Sequence, residues 1–524
     1  MKSKYFRLKL TTAVLIVFAL CSAVSAQRQR VVQTPTPRPT ASPTPVLTPV
    51  PTPVPTPVPT PVQTLPSLQA KIEAIVQREE LRRGQVGVKI VSMSSGSVLF
   101  QNNAEKYFMP ASNMKVFTVA APNFKFITSV YSSSAPDPNG VIAGDLTIFG
   151  RGDITISNAF SEGDPLRGLD LLADKIVQSG VKRIDGNLVG DESYFRGFSI
   201  PEGWEWDDLQ WYYGAGISAL SVNDNAVDVR VLPGSPGAPC IVQITPDNSL
   251  IKVLNTCVTS GEKRTLGVTK RLDQDILEIS GTIPARDDAF SGRIAVSNPG
   301  ELFISLLRRR LEQKGVLITG RNEIRKLPDP NSAAKFEVAK LESTPLSIIA
   351  QKTLKPSQNL YAETLLWALG EELGNKNNRT KTSAEKGLSV VKQFLQEAGV
   401  ANDGLIQYDG SGLSRHNLVT PDAVAQVYTY MAKSPYAIAW NIALTVGGVD
   451  GTLSRRFKET SAFGNVRGKT GTIDQVSSLS GYVTTVSGEK LVFSIIINGV
   501  SQTSLRIRTI DEIVVALSDY NGTL

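Results

Sequence analysis

Histidine is almost absent: His416 is the only one in 524 residues. A site built from several imidazoles is therefore impossible, and a Ser-His-Asp triad would have to use that one ring. Cysteine is nearly as scarce, at 3, and Cys21 lies in the N-terminal apolar stretch, which leaves Cys240 and Cys257 for the folded body. Two thiols cannot build a zinc ribbon or an iron–sulfur cluster. A disulfide between them and a pair of buried free thiols are both compatible with an exported chain. No metal and no cofactor is expected, so the chemistry must run on Lys, Ser, Asp, Glu, Tyr or backbone groups.

An excess of one charge is also missing once the N-terminus is set aside. The chain has 55 Lys+Arg against 48 Asp+Glu, a net +7. Residues 1–26, however, contain Lys2, Lys4, Arg7 and Lys9 with no acid, then the apolar run Ala13–Cys21 and the small-residue exit Val24-Ser25-Ala26. That order predicts a secretory signal peptide cut before Gln27, and a protein that is periplasmic or cell-wall-associated after cleavage. An uncleaved anchor is opposed by the shortness of the run, and lipidation of Cys21 by the bulk of Leu20. Without the leader 51 basic residues face 48 acidic ones, so a nucleic-acid partner is not expected. Hydrophobic residues at 41% and charged ones at 20% fit a folded body, and the length suggests about three domains.

Proline is concentrated rather than scarce. Residues 34–66 hold 13 of the 31 prolines, with TPVP repeated from Thr48 to Pro59. This composition predicts an extended polyproline II linker over 27–66, serving as a stiff spacer or as an inert tether. Globular sequence is expected from Ser67. Leu68, Ile72, Ile75, Val76 and Leu81 share a helical face, and alternating Val86, Val88 and Ile90 then read as a strand. At the other end Ser478–Thr485 and Lys490–Asn498 flank a Ser487-Gly488 turn, followed by a helix bearing Leu505, Ile510, Ile513, Val514 and Leu517. Both termini are thus expected to join one sheet covered by two helices. Between them, Gly144–Gly150, Gly186–Gly190 and Val227–Pro233 read as short strands, and Ser297–Gly320 as a helix opened by Ser-Asn-Pro and stopped by Lys-Gly.

Three short patterns can carry chemistry. Ser112-Asn113-Met114-Lys115 puts an amine and a hydroxyl on one helical face, where apolar neighbours would desolvate the lysine and make it a base. Ser-x-x-Lys recurs elsewhere, as at Ser179 and Ser383, so the spacing alone decides nothing. Ser357-Gln358-Asn359 offers a hydroxyl and an amide before a helical run, although Ser221-Val222-Asn223 repeats the pattern. Lys469-Thr470-Gly471-Thr472 contains the only Lys-Thr-Gly and lies just before the terminal hairpin. The ordered set of three is far less expected by chance than any member.

The stretches PASNMK, SQNLYAETLL, YDGSGLSRHNLVT, GGVDGTLSRRF and GKTGTIDQVSSLSGYV resemble the class C low-molecular-weight penicillin-binding proteins, a D-Ala-D-Ala carboxypeptidase and endopeptidase family. The resemblance spans Ser67 to the C-terminus. It implies an α/β penicillin-binding transpeptidase-like domain, an antiparallel sheet flanked by helices, over 67–128 and 342–524. Two β-rich inserted domains would interrupt it, one over 129–213 and 282–341, the other over 214–281. The same resemblance implies peptidoglycan stem peptides and cross-links as substrates and β-lactam antibiotics as inhibitors. Ser112 would be the nucleophile, Lys115 its base, and Ser357 a proton relay toward Lys469. Asn359 would hold the substrate amide, and Thr470 and Thr472 the terminal carboxylate, with Gly471 between them. The N–H groups of Ser112 and Thr472 would form the oxyanion hole. Arg415, Asp208 and Tyr213 would grip the free end of the stem peptide's diamino acid, whereas His416 has no role in this scheme. A β-lactamase on the same core and a catalytically weak cell-wall binding protein are the alternatives. One departure stands out: Pro122 should end the catalytic helix near Ala121, earlier than in the family.

Overall fold

The N-terminal helix begins slightly earlier than the spacing suggested. The computed structural model describes residues 61–523 other than 121–123, 273, 329–335 and 379. The expected leader over 1–26 and most of the expected linker lie outside the described residues. Helix α1 spans Leu65–Val76: the Thr64 side chain accepts from Ser67 N, Ser67 answers as a capping box, and Pro66 sits in the first turn where its missing N–H is harmless. Leu68, Ile72, Ile75 and Val76 are its buried face.

A six-stranded antiparallel sheet forms the body on which the site is built. Its strands are β1 (Gln85–Ser92), β2 (Val98–Asn102), β3 (Thr445–Val446), β4 (Arg467–Ile473), β5 (Val476–Thr484) and β6 (Lys490–Asn498), in the order β2-β1-β6-β5-β4-β3. Strand β6 reads as a near-continuous apolar run because both of its faces are covered. Leu491, Phe493, Ile495 and Ile497 pack with α1 and with a C-terminal helix, while Val492 and Ile496 point to the opposite core. Both chain ends thus meet in one sheet, as the sequence suggested.

The second face carries the catalytic-side helices. Helix α2 is only Lys115–Val119, preceded by a 3₁₀ turn over Ala111–Met114. Around it stand α3 (Asn359–Glu372), α4 (Ser383–Glu397) and α5 (Pro421–Met431), and α6 (Thr503–Ser518) closes the opposite face. Helix α2 ends just before Pro122, as the proline requires, yet Met114, Val116 and Phe117 are wholly buried. Its shortness therefore does not loosen its seat.

The chain leaves this body along Ile127–Ser132 and returns along Phe336–Glu342, the two pairing antiparallel with Ile127 opposite Glu342. They are neighbours in a five-stranded sheet with Leu146–Phe149, Leu188–Asp191 and Asn322–Arg325. The expected helix appears as Pro299–Gln313, capped at Lys314. Among the described residues three three-stranded sheets, built around Ala226–Leu232, Ile276–Ser280 and Arg183–Ile184, and a two-stranded one of Val258–Thr259 with Thr282–Ile283 complete this β-rich segment, which has a hydrophobic core of its own. Cys240 and Cys257 are joined as a disulfide there, which settles the choice the sequence left open.

Candidate active site

Ser112 sits in the 3₁₀ turn that opens α2, and Lys115 is the first residue of the helix proper. The Lys115 Nζ lies 2.9 Å from Ser112 Oγ, 2.6 Å from Asn359 Oδ1 and 2.7 Å from the carbonyl of Ser411. Three acceptors match the three protons of an ammonium. Burial opposes that charge and lowers the Lys115 pKa to about 7, although the carboxylates of Asp409 and Glu363 pull it back up. Near neutrality a sizeable fraction of Lys115 is a free amine, able to accept the Ser112 proton.

Asn359, the first residue of α3, receives Lys115 at Oδ1 and donates from Nδ2 to the Tyr213 carbonyl at 2.9 Å. Its amide is thus already engaged on both sides. Ser357 holds a left-handed backbone, φ 65°, which is strained for a residue with a side chain. Its hydroxyl accepts from Lys469 Nζ at 2.9 Å. Lys469 also donates to the Thr470 carbonyl at 2.7 Å. Burial, and then the positive charge on Lys115, hold its pKa far below the ordinary lysine range. Both lysines are buried, and the charge of Lys115 disfavours that of Lys469.

Strand β4 brings Lys469-Thr470-Gly471-Thr472 against the Ser112 turn. Asn113 clamps the two together: its Nδ2 donates to the Lys469 carbonyl at 3.1 Å and to Ser478 Oγ at 2.6 Å, and Ser480 donates to its Oδ1. Gly471 passes so close that a Cβ there would stand 2.9 Å from the Ser112 nitrogen and 2.6 Å from the Pro110 carbonyl oxygen. Thr470 Oγ1 donates to Thr452 Oγ1 at 2.7 Å, whereas Thr472 is exposed. Hydroxyls and a backbone edge therefore stand beside Ser112.

The residues expected at the far end of the cleft are also gathered. Asp208 is hydrogen-bonded to the Tyr213 side chain, and Tyr213 carries the carbonyl bound by Asn359. Burial and then Asp208 push the Tyr213 phenol up to about 12. Arg415 is not free: its Nε pairs with Glu205 Oε1 at 2.8 Å, and its Nη1 donates to the Asp474 carbonyl at 3.2 Å. His416 is exposed, with its ring 5.1 Å from that of Tyr408.

Several contributors were not singled out from the sequence. Glu363 accepts from the N–H groups of Gly410 and Ser411, at 2.9 and 2.7 Å, and so holds the carbonyl of Ser411 toward Lys115. Asp409 accepts from Gly412 N and Ser414 N, each at 2.7 Å. The signal for Glu363 was its place one turn after Asn359 on α3, and for Asp409 its Asp-Gly-Ser-Gly context.

Comparisons with known proteins establish the family. The model of the D-Ala-D-Ala carboxypeptidase 3 (S13) family matches residues 68–520. The chain belongs to that family. A D-alanyl-D-alanine carboxypeptidase from an Actinomadura species is 33% identical over 477 residues, covering 87% of this chain and 86% of the relative. The D-alanyl-D-alanine carboxypeptidase DacB of Haemophilus influenzae is 29% identical over 443 residues, covering 81% and 87%. The crystal structure of penicillin-binding protein 4 from Haemophilus influenzae superimposes with a TM-score of 0.72 at 26% identity, covering 84% of this chain and 97% of that one. The fold is thus the penicillin-binding transpeptidase-like one, and family membership brings the coarse activity, that of a D-Ala-D-Ala carboxypeptidase. No helix among the described residues is long and apolar enough to cross a membrane.

Proposed function

We propose that this S13-family chain is a serine-type D-alanyl-D-alanine carboxypeptidase and endopeptidase that passes through an acyl-enzyme on Ser112. The observation that carries this reading is the 2.9 Å contact between Ser112 Oγ and a buried Lys115 whose pKa falls to about 7. Ser112 Oγ attacks the carbonyl carbon between two D-alanines and gives its proton to Lys115 Nζ. The negative charge that develops on the carbonyl oxygen is held by the N–H groups of Ser112 and Thr472. When the C–N bond breaks, the leaving amine takes a proton through Ser357 Oγ, which Lys469 holds from the other side. Water then attacks the ester and regenerates Ser112.

Thr470 and Thr472 are hydroxyl donors for the substrate's terminal carboxylate, whose negative charge on arrival favours protonated Lys469 beside it and so gains a positive partner. Asp208, Tyr213 and Arg415 line the subsite for the diamino acid side chain, and Asn359 orients the substrate amide. Stem peptides and cross-links of peptidoglycan are the substrates, and β-lactams are inhibitors that acylate Ser112 and leave slowly. Such substrates lie outside the cytoplasm, in keeping with the basic and apolar leader. The β-rich segment is divided into two inserted domains, at 129–213 with 282–341 and at 214–281.

Intact-mass measurement after exposure to penicillin tests the nucleophile. One adduct is expected on the wild type and none on Ser112→Ala; no adduct on the wild type would sink the proposal. Release of D-alanine from a pentapeptide and of monomers from a cross-linked dimer then separates the two activities. Rapid penicillin hydrolysis with no peptide turnover would assign a β-lactamase instead.

A further inference from the structure

Gly203-Trp204-Glu205, which belongs to the β-rich segment, clasps the loop that carries Arg415. Gly203 has φ 81°, and a Cβ there would fall 2.3 Å from His416 Cδ2 and 2.4 Å from Ser414 Oγ, so the contact admits only glycine. Trp204 Nε1 donates to Asp409 Oδ2 at 3.0 Å, which pins the loop to the same carboxylate that organises Gly412 and Ser414. Glu205 is thereby fixed opposite Arg415, with Oε1 2.8 Å from Nε.

We propose that Glu205 makes this subsite selective for a stem-peptide side chain that ends in an ammonium and bears no free carboxylate. The inference rests on the stem-peptide hydrolase reading above and deepens it. Glu205 pairs with the Arg415 guanidinium, Asp208 feels the charge of both, and Asp207 lies close enough to act on Asp208. Burial pushes the Asp208 carboxyl up; Asp207 and Glu205 push it further, and Arg415 draws it down. With Glu205 in place the charge of Arg415 is already answered, and the remaining acids make the subsite net negative. A carboxylate arriving on the substrate must displace Glu205 and then face Asp207 and Asp208. An ammonium meets Asp208, held by Tyr213, and the Arg415 charge that would oppose it is answered by Glu205. Because Glu205 and Arg415 are partly exposed, the pair itself is weak, and the discrimination comes from the sign of the local potential.

The test uses the full chain and three synthetic peptides ending in D-Ala-D-Ala. Their third residue is lysine, diaminopimelate with a free carboxylate, or diaminopimelate amidated at that carboxylate. For the wild type, kcat/KM for D-alanine release is expected to be about tenfold higher with the lysine and amidated peptides than with the free acid. Glu205→Gln unmasks Arg415 and is expected to erase or invert that ratio. A wild type that favours the free acid, a wild type with no preference, or a ratio unchanged by Glu205→Gln overturns the assignment. So does penicillin acylation of Ser112 with no peptide turned over. If penicillin leaves no adduct and no peptide is cleaved, the hydrolase reading itself has failed instead.

Discussion

Replacing Gly471 by alanine should disable acylation while leaving the protein folded. In the wild type β4 slides past the Ser112 turn with no side chain between them. The added methyl would stand 2.3 Å from Ser478 Oγ, 2.6 Å from the Pro110 carbonyl oxygen and 2.9 Å from the Ser112 nitrogen. Two of those atoms are backbone and cannot rotate away. Carbon and oxygen need about 3.3 Å, so β4 or the turn must move by roughly 0.7 Å. A shift of that size separates Ser112 from the Thr472 N–H, and misplacing or losing one oxyanion donor lowers rates by about 10²–10³. Overpacking costs about 1–3 kcal/mol, a modest loss for a body buried on both faces of its sheet. The second-order rate of labelling by a fluorescent penicillin should therefore fall by about 10²–10³, with the melting temperature lower but the transition still cooperative. Lys115 keeps its contacts with Asn359 and Ser411, so the pH dependence of the residual rate should not move. A folded Gly471→Ala protein that acylates within about threefold of wild type would refute the argument that this close approach sets the geometry.

Three further outcomes follow from the site. The proposed mechanism makes neutral Lys115 the base, and with its pKa lowered to about 7 acylation should fall about tenfold per pH unit below 7 and level off above it, in a rate profile followed by penicillin labelling; an acid limb near the ordinary lysine pKa would contradict this. Asp224 accepts from Tyr361 at 2.5 Å, Arg293 at 2.9 Å and Gln358 at 3.3 Å, and so buttresses the strained Ser357 from the β-rich segment. Asp224→Asn should slow acylation by about tenfold and lower stability by about 1–3 kcal/mol; a lower melting temperature with an unchanged acylation rate would deny it the positioning role. Cys240 and Cys257 close a loop with a sequence separation of 17, so Cys257→Ser should remove about 3 kcal/mol of stability, read by thermal melting. Penicillin labelling below the transition should persist in that variant, and its loss would tie the disulfide to the site.

Much of this was legible because it depends on neighbours in the chain. Ser112 and Lys115 lie within one turn, so chain order already set them side by side, and α2 stops at Val119, short of Pro122 as expected. The terminal hairpin was marked by Ser487-Gly488 between two strand-like runs, and the Ser297-Asn298-Pro299 start of a helix was visible in the order of its residues. The patterns holding Ser357, Asn359 and Lys469 also stood out, and the resemblance gave them their expected roles.

What local order could not fix was the company each group keeps. Lys469 reaches Ser357 across 112 residues and Lys115 reaches Asn359 across 244, and only the folded sheet brings them together. The depression of the Lys115 pKa is not a property of Ser-x-x-Lys, which recurs along the chain; it comes from complete burial of this one amine. Arg415 was identified by its motif, but its pairing with Glu205 depends on a distant loop pinned by Trp204. The sequence by itself determined the family and the local turns, because these are set by side chains a few residues apart. Tertiary structure alone decided charge states and the chemistry the subsite can read, because desolvation and Coulomb energy depend on every atom nearby, whatever its distance along the chain.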